Sequence, residues 1–376
     1  MAIKCAVAAA PDQFWSLLGQ SVGSARIFLI STQTHGSGSD YALMSRIVKY
    51  LHTRHDFSVL CMASGFYDGL KIEENAASLP LRSRIEGALF RMYANAEELE
   101  ILFDHIESSA GTGKALRLAG VDVPMGGHYS RQCLVSELVA YLDTNRIDRF
   151  GLDDFLGLCQ AYLSLEPVGH AARREIMQDG FFRLDQSLSA EGLQGADFWR
   201  LMVENLKARY AFTELGQSRD LQMANNFRYL YESRHSGEKV ILWGHACHDL
   251  PMEGNLGGFV KSWYGDDVYV CHLSGQDGQI VNFETGGTFE IPAAAPGFIE
   301  EKLSSLGFDT ALVTAMPARL DCAAEALDLD DDIQVRLLAY SSSCQLNRVF
   351  SSPDERGLID AIVFTRDIVP TRQIRR

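Results

Sequence analysis

The sequence lacks the features that would place it in a membrane, on nucleic acid or in a disulfide framework. None of its apolar runs approaches the roughly 20 residues that a transmembrane helix requires. It has no basic run beyond the tail 372–376, and its net charge of −15 would repel a phosphate backbone. Its eight cysteines contain no CxxC pair, so reduced thiols are expected rather than disulfides. We therefore expect neither a nucleic-acid nor a membrane partner.

A secretory leader is not expected either. The N-terminal apolar run 5–10 stops at Pro11 and is too short for the apolar region and cleavage site of a signal peptide. We therefore expect Met1 to begin the mature protein and the protein to be cytoplasmic. With 376 residues, of which 47% are apolar, the chain can form one large domain or two ordinary ones.

Short apolar runs rich in β-branched residues predict strands in most of the chain. They run into loops containing glycine, serine or histidine and then into helical patterns such as Asp40–His55, where Asp40 can cap the helix. Apolar strands that alternate with helices predict an α/β fold, with a mostly parallel sheet flanked by helices. The predicted strands cover 26–30, 57–62, 116–121, 239–243, 267–272, 311–314 and 358–365.

One central block departs from this alternation. Between residues 130 and 233 the spacing of apolar residues is almost wholly helical, with few β-branched runs. This pattern predicts a large helical insertion or subdomain at 130–233. The α/β core domain would then consist of residues 1–129 and 234–376.

Two sequence motifs resemble known catalytic or binding motifs, but the residues around them do not fit. Residues 19–23 match the GxSxG pattern of serine hydrolases, but a helical segment precedes Ser21 and a strand follows, the reverse of a nucleophile elbow. Residues 111–114 resemble the end of a phosphate loop, but Ser108 and Ala115 stand where the pattern needs other residues. Neither a serine nucleophile nor a bound nucleotide is expected, and no cofactor is predicted.

Histidines follow two of the predicted strands directly, in the loops 31–39 and 243–249. In a parallel α/β sheet the carboxyl ends of the strands line the ligand crevice. Imidazole titrates near neutral pH, so a histidine there can take a proton from water and return it to a leaving group. We therefore predict that His35, His245 and His248 form a catalytic site. His128 also follows a predicted strand and is a candidate for binding the substrate.

A metal site is an alternative use of these histidines. The pair His245 and His248 has HxxH spacing, and His35, Cys247 or His272 could complete a zinc site. An HxxH on a loop lacks the helical spacing of zinc hydrolases, so our prediction contains no metal.

The motifs of the chain, taken in order, resemble those of the erythromycin esterase-like proteins. The first family motif, Gly-Glu-x-x-His-Gly, corresponds to 31–36, and a strand ending in Gly-x-Asp corresponds to 120–122. A helical Arg-Asp-x-x-Met-Ala-x-Asn is matched in full at 219–226. The motif Trp-Ala-His-Asn-x-His corresponds to 243–248, and a last strand that opens with an aspartate corresponds to 358–364. The resemblance covers nearly the whole chain.

The resemblance implies hydrolysis of a small-molecule ester or lactone without a covalent serine intermediate. It implies that His35 is the general base that activates water. His245, His248 and Arg219 would position the substrate or stabilise the oxyanion. The residues that we expect to bind the substrate are Thr32, Ser37, Asp122, His128, Asp220 and Trp243.

Two family glutamates and one asparagine are replaced in this chain. A carboxylate beside a histidine stabilises the imidazolium that forms, so His35 should be a weaker base unless an aspartate substitutes. The candidates for that substitution are Asp40, Asp68 and Asp122. The replaced family positions are Thr32, Ala63 or Ser64, and Ala246.

These replacements leave alternatives open. A relative with the same pocket could carry out acyl transfer, elimination or ring closure in natural-product assembly, because these reactions need a base but no activated water. A protein that binds a small molecule without turning it over, for example in antibiotic resistance, is a third possibility, because fold similarity alone never establishes chemistry.

Overall fold

The computed structural model describes residues 3–166, 172–190, 192–283, 285–315, 324–329, 334–338, 347–349 and 359–374. The strands in this part of the chain are β1 Ile3–Ala8, β2 Ile27–Thr32, β3 Phe57–Gly65, β4 Arg117–Asp122, β5 Lys239–His245, β6 Val268–Val281, β7 Thr288–Ile291, β8 Thr310–Ala315, β9 Glu325–Leu329, β10 Arg336–Leu338, β11 Asn347–Val349 and β12 Ala361–Ile368. The predicted start of the last strand, at Leu358, lies outside the described residues.

The helices are of very different lengths, from four residues to twenty. They are α1 Pro11–Val22, α2 Gly38–His55, α3 Phe66–Glu74, α4 Leu81–Ile85, α5 Arg91–Ala94, α6 Glu100–Ser109, α7 Val135–Thr144, α8 Asp153–Leu163, α9 Ala172–Leu188, α10 Ala196–Leu215, α11 Asp220–Tyr229, α12 Ala246–Asp249, α13 Leu256–Tyr264 and α14 Ile299–Ser305. Among the described helices, not one has the length and apolar character needed to cross a bilayer.

The chain divides into two compact units. Unit 1 contains residues 1–61, 91–117 and 231–376, and unit 2 contains residues 62–90 and 118–230. Most of the predicted helical insertion therefore falls in unit 2, together with segments from before residue 130. The predicted domain boundaries stay a prediction.

Unit 1 is built on a sheet that is parallel at its centre. The neighbouring strands β5, β2, β6 and β12 all run in the same direction. Every residue of β2 is buried, as expected for a parallel strand covered on both faces. The predicted α/β class, with a mostly parallel sheet flanked by helices, is confirmed. Strands β8, β1 and β9 extend the sheet beyond β12 in antiparallel pairing, and β7 pairs with β6 in the same way.

The start of α2 differs from the prediction and bears on the site. The helix begins at Gly38 and not at Asp40, because Ser37 is its N-cap and its hydroxyl accepts a hydrogen bond from the backbone N–H of Asp40 at 3.1 Å. The carboxylate of Asp40 is therefore not the cap of the helix and is available for other contacts. It accepts hydrogen bonds from Gln33 in the neighbouring loop.

A hydrogen-bonded pair of buried asparagine side chains connects two helices of unit 2 with strand β4. Asn226 of α11 and Asn205 of α10 exchange two side-chain hydrogen bonds of 2.7 Å, and both are fully buried. Asn226 also donates to the backbone carbonyl of Val121 in β4 at 2.9 Å. Buried polar groups require such partners. These bonds fix α11, the helix whose N-cap is Arg219, relative to the end of β4.

Candidate active site

His35 and His245 meet at the carboxyl edge of the parallel strands in unit 1. His245 is the last residue of β5 and stands opposite Thr32, the last residue of β2, and His35 follows three residues later. The two imidazole rings have centroids 4.7 Å apart and planes inclined by 38°. His35 is half-buried and His245 is 4% exposed. The structure thus brings together two of the three predicted catalytic histidines.

Two tyrosines hold His35, and the sequence reasoning did not find them. The hydroxyl of Tyr93 lies 3.3 Å from Nδ1 of His35, and the hydroxyl of Tyr41 donates to its backbone carbonyl. Both tyrosines are fully buried and pack against the ring of Trp243. A phenol orients an imidazole, but unlike a carboxylate it brings no charge that would stabilise the imidazolium.

His245 is fixed in one tautomer by its neighbours. Its Nε2 lies 2.9 Å from the backbone carbonyl oxygen of Gln33, which can only accept a hydrogen bond, so Nε2 carries the proton. In the neutral ring Nδ1 is then the basic nitrogen. Nδ1 lies 2.8 Å from Sγ of Cys247, so the basic side of His245 faces a thiol.

Cys247 lies on the short helix α12 and is exposed to solvent. Desolvation favours its neutral form, but hydrogen bonds and charge interactions with His245 and His248 outweigh that effect and lower the pKa of the thiol to about 6. A large fraction of this cysteine is therefore thiolate at neutral pH. His248, the third predicted histidine, is half-buried and contributes to the site through this contact with Cys247.

The loop that carries His35 is anchored through a glycine. The carbonyl of Gly36 accepts hydrogen bonds from the backbone N–H groups of Val281 and Thr371, both at 3.0 Å. A Cβ atom on Gly36 would lie 2.2 Å from the carbonyl oxygen of Val281. No side chain fits there, which explains the small residue next to the histidine.

Three other predicted residues of unit 1 lie around the histidines. The hydroxyl of Thr32 donates to the carbonyl of Gly244 at 2.8 Å, and Ser37 caps α2. The Nε1 of Trp243 is buried and has no hydrogen-bond partner within the described residues. The predicted roles of Thr32, Ser37 and Trp243 in substrate binding stay predictions.

Asp40 binds the loop backbone instead of a histidine. Its carboxylate accepts from the backbone N–H of Gln33 at 3.0 Å and from the side-chain amide of Gln33 at 3.3 Å. Burial raises the pKa of this carboxyl to about 6, although the hydrogen bonds from Gln33 and Ser37 and the charge of His245 act in the opposite direction. Asp40 thus supports the segment whose carbonyl fixes the tautomer of His245.

The raised pKa of Asp40 predicts a pH-dependent stability. Its contribution is fully present below the unfolded value of 3.8 and is lost as the pH rises through about 6. Between about pH 6 and pH 4, we expect the wild type to gain about 2 kcal/mol in unfolding free energy relative to Asp40→Asn. Urea unfolding of both proteins across this range measures the difference. Unfolding free energies that stay parallel would contradict the prediction.

Unit 2 contains the remaining predicted residues, and Arg219 pairs with Asp122 there. Nε and Nη2 of Arg219 donate to the two carboxylate oxygens of Asp122 at 2.6 and 2.9 Å. Asp220 accepts a hydrogen bond from the hydroxyl of Ser218 at 2.6 Å. The pair of Arg219 with Asp122 joins residues that are 97 positions apart in the sequence. His128 is half-buried in the same unit.

Arg209 is a second cation beside the pair and was not singled out from the sequence. It is 7% exposed, and burial lowers the pKa of its guanidinium while the charge of Asp122 opposes this effect. One of its Nη groups lies 3.0 Å from the sulfur of Met125, and its Nε has no partner among the described residues. The carboxylate that binds Arg219 thus also interacts with the charge of Arg209.

The aspartates proposed to replace the family glutamates bind elsewhere. Asp68 accepts hydrogen bonds from the backbone N–H groups of Tyr129 and Ser130, and Asp122 binds Arg219. Ser64, where the second family glutamate was expected, accepts from the backbone N–H of Phe90. Each of these side chains has a structural partner in unit 2.

The metal alternative receives no support from the geometry. Within the described ranges no three His, Cys, Asp or Glu residues lie close enough together to hold an ion. His272, one proposed ligand, is a fully buried residue of β6 whose Nε2 lies 3.1 Å from the carbonyl of Arg336. Burial lowers the pKa of His272 to about 4, as is typical of a histidine that stays neutral in a protein core.

Comparison with known proteins agrees with this fold. The family model described as erythromycin esterase matches residues 52–338. The chain belongs to the erythromycin esterase family. It is 22% identical over 266 residues to a Bacillus subtilis protein named "Putative hydrolase YbfO", which covers 63% of this chain. The chain spans 58% of the length of that relative.

Solved structures with the same fold cover nearly the whole chain. A Bacillus cereus protein superposes with a TM-score of 0.67 over 96% of this chain and 92% of its own. A succinoglycan biosynthesis protein gives 0.68 over 95% and 91%, and a mutant of the erythromycin esterase EreC in its open conformation gives 0.65 over 96% and 94%. All three are 15% identical to this chain, so they show the fold and not the reaction.

Proposed function

We propose that this protein hydrolyses an ester or lactone bond of a small molecule, with His35 as the general base. The observation that carries the proposal is the contact between the rings of His35 and His245 at the carboxyl edge of the parallel strands. Active sites of open α/β sheets form at this edge. Membership of the erythromycin esterase family supports the same reaction class.

In the proposed reaction His35 takes a proton from water as the oxygen adds to the carbonyl carbon, and the proton then goes to the leaving alkoxide. His245 and His248 position the substrate. Arg219, held by Asp122, stabilises the developing oxyanion, for which a permanently charged guanidinium is suited. The further proposed substrate contacts are Thr32, Ser37, His128, Asp220 and Trp243, and no cofactor takes part.

A changed reaction on the same pocket is the second candidate. Its supporting observation is that the side chains replacing the family glutamates bind backbone groups, Thr32 through the carbonyl of Gly244 and Ser64 through the amide of Phe90. Acyl transfer, elimination or ring closure needs a histidine base but no carboxylate-assisted water activation. A cytoplasmic role in natural-product assembly or antibiotic resistance fits either candidate.

Product analysis separates the two candidates. The purified protein would be incubated with activated esters and macrolide lactones, with and without added alcohol and amine acceptors, and the products identified by mass spectrometry. A gain of one water by the substrate supports hydrolysis. Acylated acceptor, or a product formed by loss of water or by isomerisation, supports the changed reaction. Tight binding without any product would contradict both.

A further inference from the structure

The histidine site contains a nucleophile that the proposed mechanism does not use. The sulfur of Cys247 lies 2.8 Å from Nδ1 of His245, and the backbone carbonyl of Gln33 holds the other nitrogen of that ring. A nucleophile, a base within hydrogen-bond reach and a third group that orients the base are the three parts of a nucleophilic catalyst. Here they lie on two loops of one unit, beside His35.

We propose that Cys247 is the nucleophile of this site and forms a thioester with the acyl group of the substrate, with His245 as its base. The inference rests on the proposed function, because it assigns a covalent step to the same ester or lactone hydrolysis. It adds a catalytic residue that occupies the variable position of the Trp-Ala-His-Asn-x-His motif.

Exposure distinguishes Cys247 from the other cysteines that the structure describes. Cys159 and Cys271 are buried among apolar groups, and burial raises the pKa of both thiols. Cys247 is exposed, and the two histidines that flank it lower the pKa of its thiol. A reactive cysteine needs accessibility and a neighbouring base, whereas a structural one is buried and inert.

The proposed reaction has two steps. The thiolate attacks the carbonyl carbon, a C–S bond forms, the C–O bond to the leaving alkoxide breaks, and the imidazolium of His245 gives its proton to that alkoxide. Water then attacks the thioester, His35 takes its proton, and the C–S bond breaks to release the acid and the thiolate. The proton of His35 then returns to His245 through solvent, which restores the starting thiolate and imidazolium. Because a thiolate leaves without taking up a proton, unlike an alkoxide, His35 has only to take the proton of water in this step.

Acylation by p-nitrophenyl acetate tests the inference. The full-length wild type is mixed rapidly with the ester, nitrophenolate release is followed, and the quenched protein is digested for mass spectrometry. We expect a burst of nitrophenolate close to one equivalent and an acetyl group on Cys247 that disappears with time. Cys247→Ser and Cys247→Ala should lower the burst rate by about 100-fold or more. Cys133→Ser, at a partly exposed cysteine in unit 2, should leave it unchanged.

His35→Ala supplies the diagnostic that a structural role for Cys247 would not give. It should keep the burst and lose the following turnover, so that acetylated Cys247 accumulates. Turnover by the wild type without an acetylated Cys247, and retained in Cys247→Ala, would overturn the inference and leave water activation by His35 intact. Acetylation of Cys247 that never clears would support the nucleophile and overturn the hydrolytic function. Neither acetylation nor turnover would overturn both.

Discussion

Replacing His35 with alanine is expected to lower the turnover of ester or lactone substrates by about 100- to 10,000-fold, the range that a positioned general base contributes. His35 is the half-buried histidine whose ring contacts His245 and whose Nδ1 lies against the hydroxyl of Tyr93. Without it, no imidazole of this loop can take the proton of the attacking water. The steady-state kcat of the two proteins on the same substrate measures the effect.

Two variants serve as controls for this result. His55→Ala removes another half-buried histidine of unit 1, at the far end of α2, and should leave kcat unchanged. Tyr93→Phe keeps His35 but removes the hydroxyl beside its Nδ1, and should lower kcat by less than the loss of the histidine. A His35→Ala protein that is folded and as active as the wild type would contradict the assignment of the base.

Replacing Asp122 with alanine is expected to lower the free energy of unfolding by about 3–5 kcal/mol, because it removes one partner of a buried ion pair. Asp122 is 1% exposed and accepts two hydrogen bonds from Arg219. It also faces the charge of Arg209. In the variant, Arg219 would lose its hydrogen-bond acceptor. Arg209 would lose the opposite charge beside it. Urea unfolding of wild type and variant, followed by circular dichroism, measures the change.

An exposed ion pair of the same unit is the matched control. Asp179 accepts from Arg183 one turn along α9, and both side chains are about half exposed. Asp179→Ala should cost about 1 kcal/mol or less. If Asp122→Ala is no more destabilising than Asp179→Ala, the pair with Arg219 does not hold unit 2 together, and a direct role of Asp122 in the substrate site becomes the better explanation.

The sequence predicted the parallel centre of the sheet because burial on both faces leaves a direct trace. Strands β2 and β5 contain continuous apolar runs, and so does the first part of β6; each was located within a few residues at its start. Strand β6 continues through polar residues to Val281, well past its predicted end at residue 272. The meeting of His35 and His245 followed from the same logic, since the carboxyl ends of parallel strands share one edge. The order of family motifs gave the same two loops.

The antiparallel strands β1 and β9 were not predicted, whereas β8 was. Strand β1 lies in the N-terminal run, which was judged only as a possible leader, and β9 reaches into an acidic segment. Such short strands depend on their neighbours in the sheet more than on local pattern. Strand β1 pairs with β8 and β9, which both lie far away in the chain.

The contacts that the sequence did not predict join residues far apart in the chain or depend on side-chain geometry. Tyr93 reaches His35 across 58 positions, and Asp122 reaches Arg219 across 97. The spacing of apolar and polar residues along the sequence carries no information about such contacts. The sequence shows that Cys247 lies between two histidines. Only the structure shows that its sulfur contacts Nδ1 of His245, which is the basis for proposing it as a nucleophile.

Chemical rescue of His35→Ala by imidazole tests the central claim most directly. If the histidine loops form a hydrolytic centre with His35 as the base, turnover of an ester by the variant should rise with the concentration of added imidazole. The same imidazole should leave His55→Ala and the wild type unaffected after subtraction of the uncatalysed reaction. A variant that hydrolyses the ester at the wild-type rate without imidazole would contradict the account.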